Sequence, residues 1–475
     1  MIDLNTVQTA FPDWKIPAEN DYYTSVLPLC AAVYSGDPPW HNVKKSGLYK
    51  GGTRQLNMLG IAKILCDEMS ALTFGEQAEI TVSDSRLQNF IDTVLENNGF
   101  YKNIPQWLSY AYAMGGGVLK VFFADGRVNL DYVSADCFYP ISYNNRLITG
   151  GIFGTSHIRG KDHYTLFEKY VTEGNAAVTE HKLFRSDSKY ALGNEVPMSE
   201  LFDAPPPEKI RFDGIASPLF AYFKPAAANN LDLHSCLGLP VFCNCLDTLK
   251  ALDTAFDSFC REFILGRKRI IVPSSCIRTV VDPESGETKR YFDTDDEVYQ
   301  AMKCDEEKDL HIVDNTMDLR IDEHVGGINA LLNILCCQTG LSAGTFDFNS
   351  SGGIKTATEI ISENSKTFRT AKANKNMLSE TFTQLIHSII ALGSYYGLVP
   401  AINDYDVNIA FNDNIVEDDN TVIDNTIKLV SAGLQSKLSA IMTVNKCDEE
   451  TAKRELERIN SEFGDGDHFD PYAEG

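Results

Sequence analysis

The chain has 475 residues, of which 43% are hydrophobic and 10% aromatic, and this is enough apolar material for several packed cores. Its formal net charge of −24 argues against a protein that coats nucleic acid, because neutralising phosphates requires clustered Lys and Arg. Twelve cysteines in a chain of this length favour reduced, buried thiols over a disulfide framework.

The chain also lacks signals for a membrane or for export. No apolar run reaches the ~20 residues that a membrane helix needs, and the N-terminus lacks the basic start and apolar core of a signal peptide. We therefore expect a protein that is soluble and intracellular when made, with about two to four structural units. The last residues, 464–475, are small, acidic and turn-forming, and we expect them to be disordered.

The first half of the chain predicts helices followed by strands. Apolar residues near helical spacing over 54–76, ending at Gly75, predict a helix with one buried face. The period then changes to two, and residues 117 to about 186 predict an antiparallel β module. A tight hairpin turn is predicted at Asp125-Gly126.

Two long helices are predicted on either side of a small module in the second half. Apolar residues recur every three or four positions over 239–265 and predict a helix of about 25 residues, roughly 37 Å long. Residues 266–318 change to strand–turn–strand patterns and predict a small α/β module. A second apolar helix is predicted over 319–340, so that a helical hairpin with a compact module at its tip is the simplest geometry.

A glycine-rich polar loop over 341–356 then leads to a very long predicted helix over 357–400. The first half of this helix is polar, so we expect it to lie against something wet or polar, whereas its second half is amphipathic. Residues 401–463 predict one strand and further helices, the last a single capped helix over 436–462.

The loop contains SSGGIKT, which is similar to a phosphate-binding loop. That motif requires its last Gly directly before the Lys, whereas Ile354 separates Gly353 from Lys355 here. The residues before the loop also predict a helix where the motif requires a strand. A nucleotide-binding enzyme that uses Lys355 stays the alternative hypothesis, and a micromolar ATP affinity that is lost in Lys355→Ala would support it.

Other charged and cysteine-containing segments favour ordinary structural roles. The spacings Cys243-x-Cys245 and Cys336-Cys337 do not match the paired ligands of structural zinc sites. Histidines are scattered and no G-x-S-x-G motif occurs. Asp418-Asp419 could bind a divalent cation, but a solvated helix N-terminus explains the two acids better. We expect no cofactor, no metal site and no catalytic residues.

The densest basic cluster in this acidic chain is Arg267, Lys268 and Arg269, directly after the first long helix. These cations either complement the C-terminus of that helix or contact a polyanion or a partner protein. In the glycine-rich loop, Phe346 and Phe348 can anchor the base. Residues Thr356 or Thr358, with Glu359, can cap the helix that follows.

One stretch, Gln338 to Thr370, carries a specific resemblance. It reads QTGLSAGTFDFNSSGGIKTATEIISENSKTFRT and contains a Gly-Leu-Ser, a Gly-Thr-Phe, a glycine-bearing loop and Thr-Ala-Thr-Glu. This stretch resembles the portal proteins of tailed double-stranded-DNA phages, in the branch typical of long-tailed phages of Gram-positive hosts. Weaker matches, NMLGIAKILCDEMSALTFGE and LVSAGLQSKLSAI, extend the resemblance over roughly residues 54 to 460.

The resemblance implies an α+β portal-type fold with long stem helices, an antiparallel β-containing wing, a small α/β clip and an α-helical crown. The implied parts are a wing over 1–235, stem helices over 236–265 and 319–340, a clip over 266–318, a tunnel loop over 341–356, a long kinked wing helix over 357–400, a crown over 401–463 and a tail over 464–475. The implied DNA-facing residues of the tunnel loop are Asp347, Asn349, Ser350, Ser351, Gly352, Gly353 and Lys355. The implied clip contacts to a partner or DNA are Arg267, Lys268 and Arg269.

The resemblance further implies a structural protein rather than an enzyme. Such proteins form a ring, commonly a dodecamer, at one capsid vertex, and the ring is the channel for DNA packaging and ejection. The implied partners are the terminase large subunit, head-completion or adaptor proteins, scaffold, the major capsid protein and the passing double-stranded DNA, with no membrane. The implied location is the virion, and the host cytoplasm during assembly. Another ring-forming head or connector protein stays an alternative.

The net charge agrees with this interpretation on physical grounds. A channel that passes DNA in both directions must not bind it tightly, and an acidic wall repels phosphate. Helices that would be under-buried in a monomer can become buried between the subunits of a cyclic, head-to-tail ring.

Overall fold

The computed structural model mixes helices with antiparallel sheets, so the predicted α+β class is confirmed. The residues that it describes are 4–12, 22–44, 52–75, 77–144, 147–189, 191–266, 270–271, 278–281, 288–291, 313–314, 318–348, 357–402, 404–411, 419–445, 447 and 449–463.

The N-terminal part of the fold is helical. Its helices are α1 (Leu4–Ala10), α2 (Leu27–Ser35), α3 (Ile61–Phe74), α4 (Ser85–Asn97) and α5 (Phe100–Met114). A short antiparallel hairpin of β1 (Asn42–Lys44) and β2 (Thr53–Gln55) lies between α2 and α3. Helix α5 packs against α3, and the hydroxyls of Thr73 and Tyr112 hydrogen-bond across this contact at 2.7 Å.

The helix predicted over 54–76 begins later than expected, at Ile61. Gly60 has a φ of 66°, a left-handed conformation that interrupts helical hydrogen bonding. The backbone N–H groups of Asn57 and Leu59 instead donate to two carboxylates of a distant helix, Asp257 and Asp253. Tertiary hydrogen bonds have therefore replaced the helical ones.

Two antiparallel sheets make up the β module, as predicted. The smaller sheet has the order β12 (Phe220–Phe223), β4 (Gly117–Ala124) and β5 (Arg127–Ser134). The larger sheet contains β6 (Phe138–Asn144), β7 (Leu147–Arg159), β8 (Asp162–Glu173), β9 (Ala176–Ser186), β10 (Asn194–Val196) and β11 (Lys209–Asp213). The predicted hairpin turn is confirmed, because Asp125 and Gly126 both have positive φ, at 54° and 73°.

A buried lysine joins the two sheets. Lys120 of β4 is 4% exposed and its ammonium lies 2.5 Å from a carboxylate oxygen of Glu168 and 3.1 Å from one of Asp131. Burial acts to lower the pKa of Lys120, but the charges of Glu168, Tyr170 and Asp131 raise it above its ordinary value. The lysine is therefore charged at neutral pH and holds the sheets in one arrangement.

Three long helices follow in the second half of the chain. They are α6 (Leu246–Leu265), α7 (Ile321–Thr339) and α8 (Ala357–Tyr395). The module between α6 and α7 contains the antiparallel pairs β13 (Ile270–Ile271) with β16 (Val313–Asp314), and β14 (Arg278–Val281) with β15 (Thr288–Tyr291). The strand–turn–strand prediction for this module is confirmed for these strands.

The starts predicted for the first long helix, at residue 239 from its apolar spacing and at 236 from the resemblance, are both wrong. Residues 236–245 form turns and a short 3₁₀ segment, and helix α6 begins at Leu246. Pro240 has no N–H to donate, the N–H of Val241 donates to the carbonyl of Tyr112, and Phe242 is fully buried. Packing against α5 therefore fixes this segment in a non-helical path.

The C-terminal region has one strand and three helices in the described residues. Strand β17 (Val407–Phe411) pairs antiparallel with β3 (Ala78–Val82), and helices α9 (Asp419–Ser431), α10 (Lys437–Asn445) and α11 (Glu449–Phe463) follow. The single helix predicted over 436–462 is therefore wrong, since α10 and α11 are separate and pack against each other. Ala452 on α11 is fully buried, so this helix covers part of its apolar surface.

Helix α8 passes from the loop region into the main core. Its second half is amphipathic as predicted, and its fully buried residues are Leu378, Phe382, Leu385, Ile386 and Ile389. Polar side chains on the same half also bond the smaller sheet, because Gln384 donates to the carbonyl of Phe220 at 3.1 Å and Ser388 to that of Pro218 at 3.0 Å. Helix α8 contacts β4, β12, β17, α3 and α4, so it joins the helical and β parts.

We predict that Leu385→Ala lowers the free energy of unfolding by about 2–5 kcal/mol, because a fully buried side chain is replaced by a cavity. Urea denaturation followed through Trp107, which lies in the same core, measures this change. The matched control on the same helix is Lys372→Ala, an exposed position where a change within about 0.5 kcal/mol is expected. Equal effects at the two positions would contradict the burial of this face of α8.

Candidate functional site

Helices α6 and α7 form an antiparallel pair. Thr248, near the start of α6, donates to Gln338 near the end of α7 at 2.9 Å. At the other end, the Arg320 guanidinium donates to both carboxylate oxygens of Glu262, at 3.2 and 3.1 Å. The pair is therefore fixed at both ends, as the predicted helical hairpin requires.

Helix α7 ends at a glycine that is tied to α8. Gly340 has a φ of 84°, and its carbonyl accepts a hydrogen bond of 2.7 Å from the hydroxyl of Thr370. A Cβ on Gly340 would come within 2.7 Å of that same hydroxyl oxygen. Both the left-handed backbone and the close approach of α8 therefore require glycine here.

A reciprocal pair of hydrogen bonds continues this connection. The N–H of Ser342 donates to the Thr367 hydroxyl at 2.8 Å, and the N–H of Thr367 donates to the Ser342 hydroxyl at 3.2 Å. Both side chains are buried. Lys366 adds a bond of 2.6 Å to the carbonyl of Cys337. The polar first half of α8 thus lies against polar groups at the end of α7, as the sequence predicts.

The chain then folds back along α7 as far as the structure describes it. The N–H of Gly344 donates to the side-chain oxygen of Asn333 at 2.8 Å, and the N–H of Phe348 donates to that of Asn329 at 3.2 Å. These two asparagines are one helical turn apart, so residues 341–348 follow one side of α7. Phe346 packs against the main core, whereas Phe348 is 49% exposed, so only Phe346 anchors the base.

Few of the predicted site residues fall in the described part of the chain. Asp347 is exposed on the fold-back segment, beside the point where the described residues end. The other predicted tunnel-loop residues, Asn349, Ser350, Ser351, Gly352, Gly353 and Lys355, lie outside the described residues. The predicted clip contacts Arg267, Lys268 and Arg269, and the predicted cap Thr356, also lie outside them.

A cavity of about 690 Å³, which we call the cationic groove, lies between the β1–β2 hairpin, α6 and the start of α7. The basic residues that line it are Lys44, Arg54, Lys250, Arg261 and Arg320, and the ring of His324 also lines it. Among the described residues, two carboxylates line it, Asp257 and Glu262. Sequence inspection missed this groove because its cations are spread over some 280 positions and form no local cluster.

Both carboxylates of the groove are already paired. Arg54 donates to the two oxygens of Asp257 at 2.7 and 2.6 Å, and Arg320 is paired with Glu262. The hydrogen bonds from Arg54 lower the pKa of Asp257, and those from Arg320 lower the pKa of Glu262. Among described residues, Lys44, Lys250 and Arg261 have no carboxylate within 4.0 Å.

Carboxylates of α6 also hold the N-terminal hairpin in place. Asp253 is 4% exposed and accepts hydrogen bonds from the indole of Trp40 at 2.8 Å and the N–H of Leu59 at 3.2 Å. Burial raises the pKa of Asp253, and these hydrogen bonds partly offset that effect. One wall of the cationic groove is therefore anchored by side chains buried beneath it.

The described residues contain no group of three or more His, Cys, Asp or Glu side chains that could hold a metal ion. No disulfide joins any of the described cysteines. No described helix combines the length and apolar character needed to cross a membrane.

The family model for "Phage portal protein, SPP1 Gp6-like" matches residues 33–465 of this sequence. The chain belongs to this portal protein family. Members of the family are structural proteins of phage particles, and the match covers the helix pair, the glycine turn and α8. It also agrees with the resemblance carried by residues 338–370.

Other comparisons are more distant. Among curated proteins no match was found. Among solved structures, the chain is similar to one from "Virion of native gene transfer agent (GTA) particle". The two are 11% identical with a TM-score of 0.42, over 81% of this chain and 89% of that chain.

We predict that Thr367→Val speeds amide hydrogen exchange in residues 341–348 about fivefold, since losing one buried hydrogen bond costs about 1 kcal/mol. Hydrogen exchange followed by mass spectrometry measures it. Thr383→Val is the control, because that hydroxyl donates only within α8, to the carbonyl of Ser379 at 2.9 Å. An unchanged exchange rate in Thr367→Val would show that the Ser342 contact does not hold the segment.

Proposed function

We propose that this portal protein forms a ring at one vertex of a phage capsid and is the channel through which DNA enters during packaging and leaves at ejection. The observation that carries the proposal is the family match over residues 33–465. Its geometric support is an antiparallel helix pair that passes, through a glycine turn, into a 39-residue helix anchored in the core.

Exposed apolar side chains on the helix pair support assembly. Phe263 and Ile264 at the end of α6 are 44% and 56% exposed, and Ile334 on α7 is 48% exposed. A single copy leaves this apolar surface in water, whereas adjacent subunits in a ring can cover it. The formal charge of −24 per copy suits a channel that repels phosphate and lets DNA slide.

We also propose functions for the loop after α7 and for the module between α6 and α7. Residues 341–356, including Asp347 and Lys355, are proposed to face DNA as the tunnel loop. Residues 266–318, with Arg267, Lys268 and Arg269, are proposed to form the clip that docks the terminase large subunit and later the head-completion proteins. Scaffold and the major capsid protein are the proposed partners at the vertex, in the virion and, during assembly, in the host cytoplasm.

The lead proposal predicts that purified protein forms closed rings, commonly of twelve subunits, with a central hole in end-on views. Negative-stain electron microscopy with class averaging measures both the symmetry and the hole. A monodisperse monomer without a hole at high protein concentration would contradict the proposal. The nucleotide-binding alternative has no support from the structure, since helix α7 precedes the glycine-rich loop where a phosphate loop requires a strand.

We predict that deleting Asn349 to Gly353 leaves ring assembly intact but reduces DNA packaging, because the deletion removes the proposed DNA-facing loop and spares the Ser342–Thr367 contacts. Ring formation is measured by electron microscopy, and packaging by the DNA protected from nuclease in an in vitro reaction. Normal packaging by the deletion variant would make the loop a simple connector. The Thr383→Val variant serves again as a control with both properties intact.

A further inference from the structure

We propose that the cationic groove of one copy binds acidic side chains at the start of α7 in the neighbouring copy, with Asp318 and Asp322 as the anions. This inference rests on the proposed ring and adds to it a specific ionic contact between subunits. The contact would give the ring its handed, head-to-tail order, since each copy supplies cations on one side and anions on the other.

The charge and placement of the side chains that line the cationic groove suit an anionic ligand. Lys250 and Arg261 are eleven residues apart on α6, close to three full turns, and so lie on the same face about 16 Å from each other. Lys44 reaches the same cavity from the β1–β2 hairpin. The ion pairs of Arg54 with Asp257 and of Arg320 with Glu262 join the hairpin and the start of α7 to α6, so they hold the walls of the groove together. The charge of Arg261 also contributes to the lowered pKa of Asp257.

A protein partner fits the groove better than DNA does. Apolar side chains are exposed beside it: Val43 on the hairpin is 37% exposed, and Leu319 and Ile321, on either side of Arg320, are 41% and 40% exposed. Phosphates would leave these side chains in water, whereas a neighbouring subunit would cover them. In a chain with 66 acidic and 42 basic residues, a second copy is also an abundant source of carboxylates.

Asp318 lies just before α7 and Asp322 in its first turn. His324 faces α6, with its ring centroid 6.0 Å from that of Phe259. Asp322 is two positions earlier, about 160° around the helix, and so points away from α6. Asp318 and Asp322 are exposed and form no ion pair with any described residue. A head-to-tail contact can therefore bring the acidic side of one copy to the cationic groove of the next.

The test uses charge reversal and restoration in the full chain. Lys250→Glu with Arg261→Glu, and separately Asp318→Lys with Asp322→Lys, should each raise the protein concentration needed for half assembly at least about tenfold, because like charges then oppose each other. Combining all four substitutions should restore assembly to near the wild-type level. Mass photometry measures the fraction of chains in rings, and circular dichroism checks that each variant is folded.

Lys372→Glu is the matched control, since it reverses an exposed cation on α8 outside the groove and should leave assembly unchanged. Raising the salt from about 0.1 M to about 1 M should weaken the rings of the wild type and of the Lys372→Glu variant to the same extent. The reason is that screening shortens the reach of exposed charges to about 3 Å.

The outcomes separate this inference from the proposed function. If wild-type protein forms no ring, the proposed function itself fails. If rings form and the reversed variants assemble normally, or if the fourfold variant does not recover, the pairing is wrong while the ring stands. If the Lys250→Glu and Arg261→Glu variant keeps its rings but loses affinity for a labelled DNA duplex, the groove binds phosphate and the inference is overturned.

Discussion

Helix α8 is one continuous helix whose two halves have different surroundings, one apolar and one polar. The rest of the fold depends on this constraint. Its C-terminal half inserts apolar side chains such as Phe382 and Leu385 into the main core. Its N-terminal half carries hydroxyls that bond the end of α7, at Thr367 and Thr370. Helix α8 therefore connects the end of α7 to the main core.

The glycine turn at the end of α7 connects that helix to the segment that follows it. Gly340 turns the chain, and the following residues are bonded to α8 at Ser342 and to α7 through Asn333 and Asn329. Hydrogen bonds to α7 and α8 therefore hold the described chain up to Phe348.

Buried carboxylates organise the other side of the helix pair. Asp253 and Asp257 accept hydrogen bonds from Trp40, Arg54 and two backbone N–H groups, and they draw the N-terminal hairpin onto α6. Such charges are tolerated because each carboxylate is hydrogen-bonded and Asp257 is paired with a cation. Near these contacts, Lys44, Lys250 and Arg261 have no carboxylate of a described residue within 4.0 Å, and the proposed interface with another copy rests on these cations.

The sequence by itself determined the elements whose signals are local. Alternating apolar residues and the Asp125-Gly126 turn defined the β module, and regular apolar spacing defined α7 and α8. The motif in residues 338–370 identified the family, since its residue types are contiguous. Tertiary structure decided what depends on distant partners. Residues 54–60 and 236–242 are not helical because their backbone groups bond other elements. The cationic groove joins residues from three separate segments. Periodicity reports which residues share a face, but only packing determines which faces meet and which hydrogen bonds replace the helical ones.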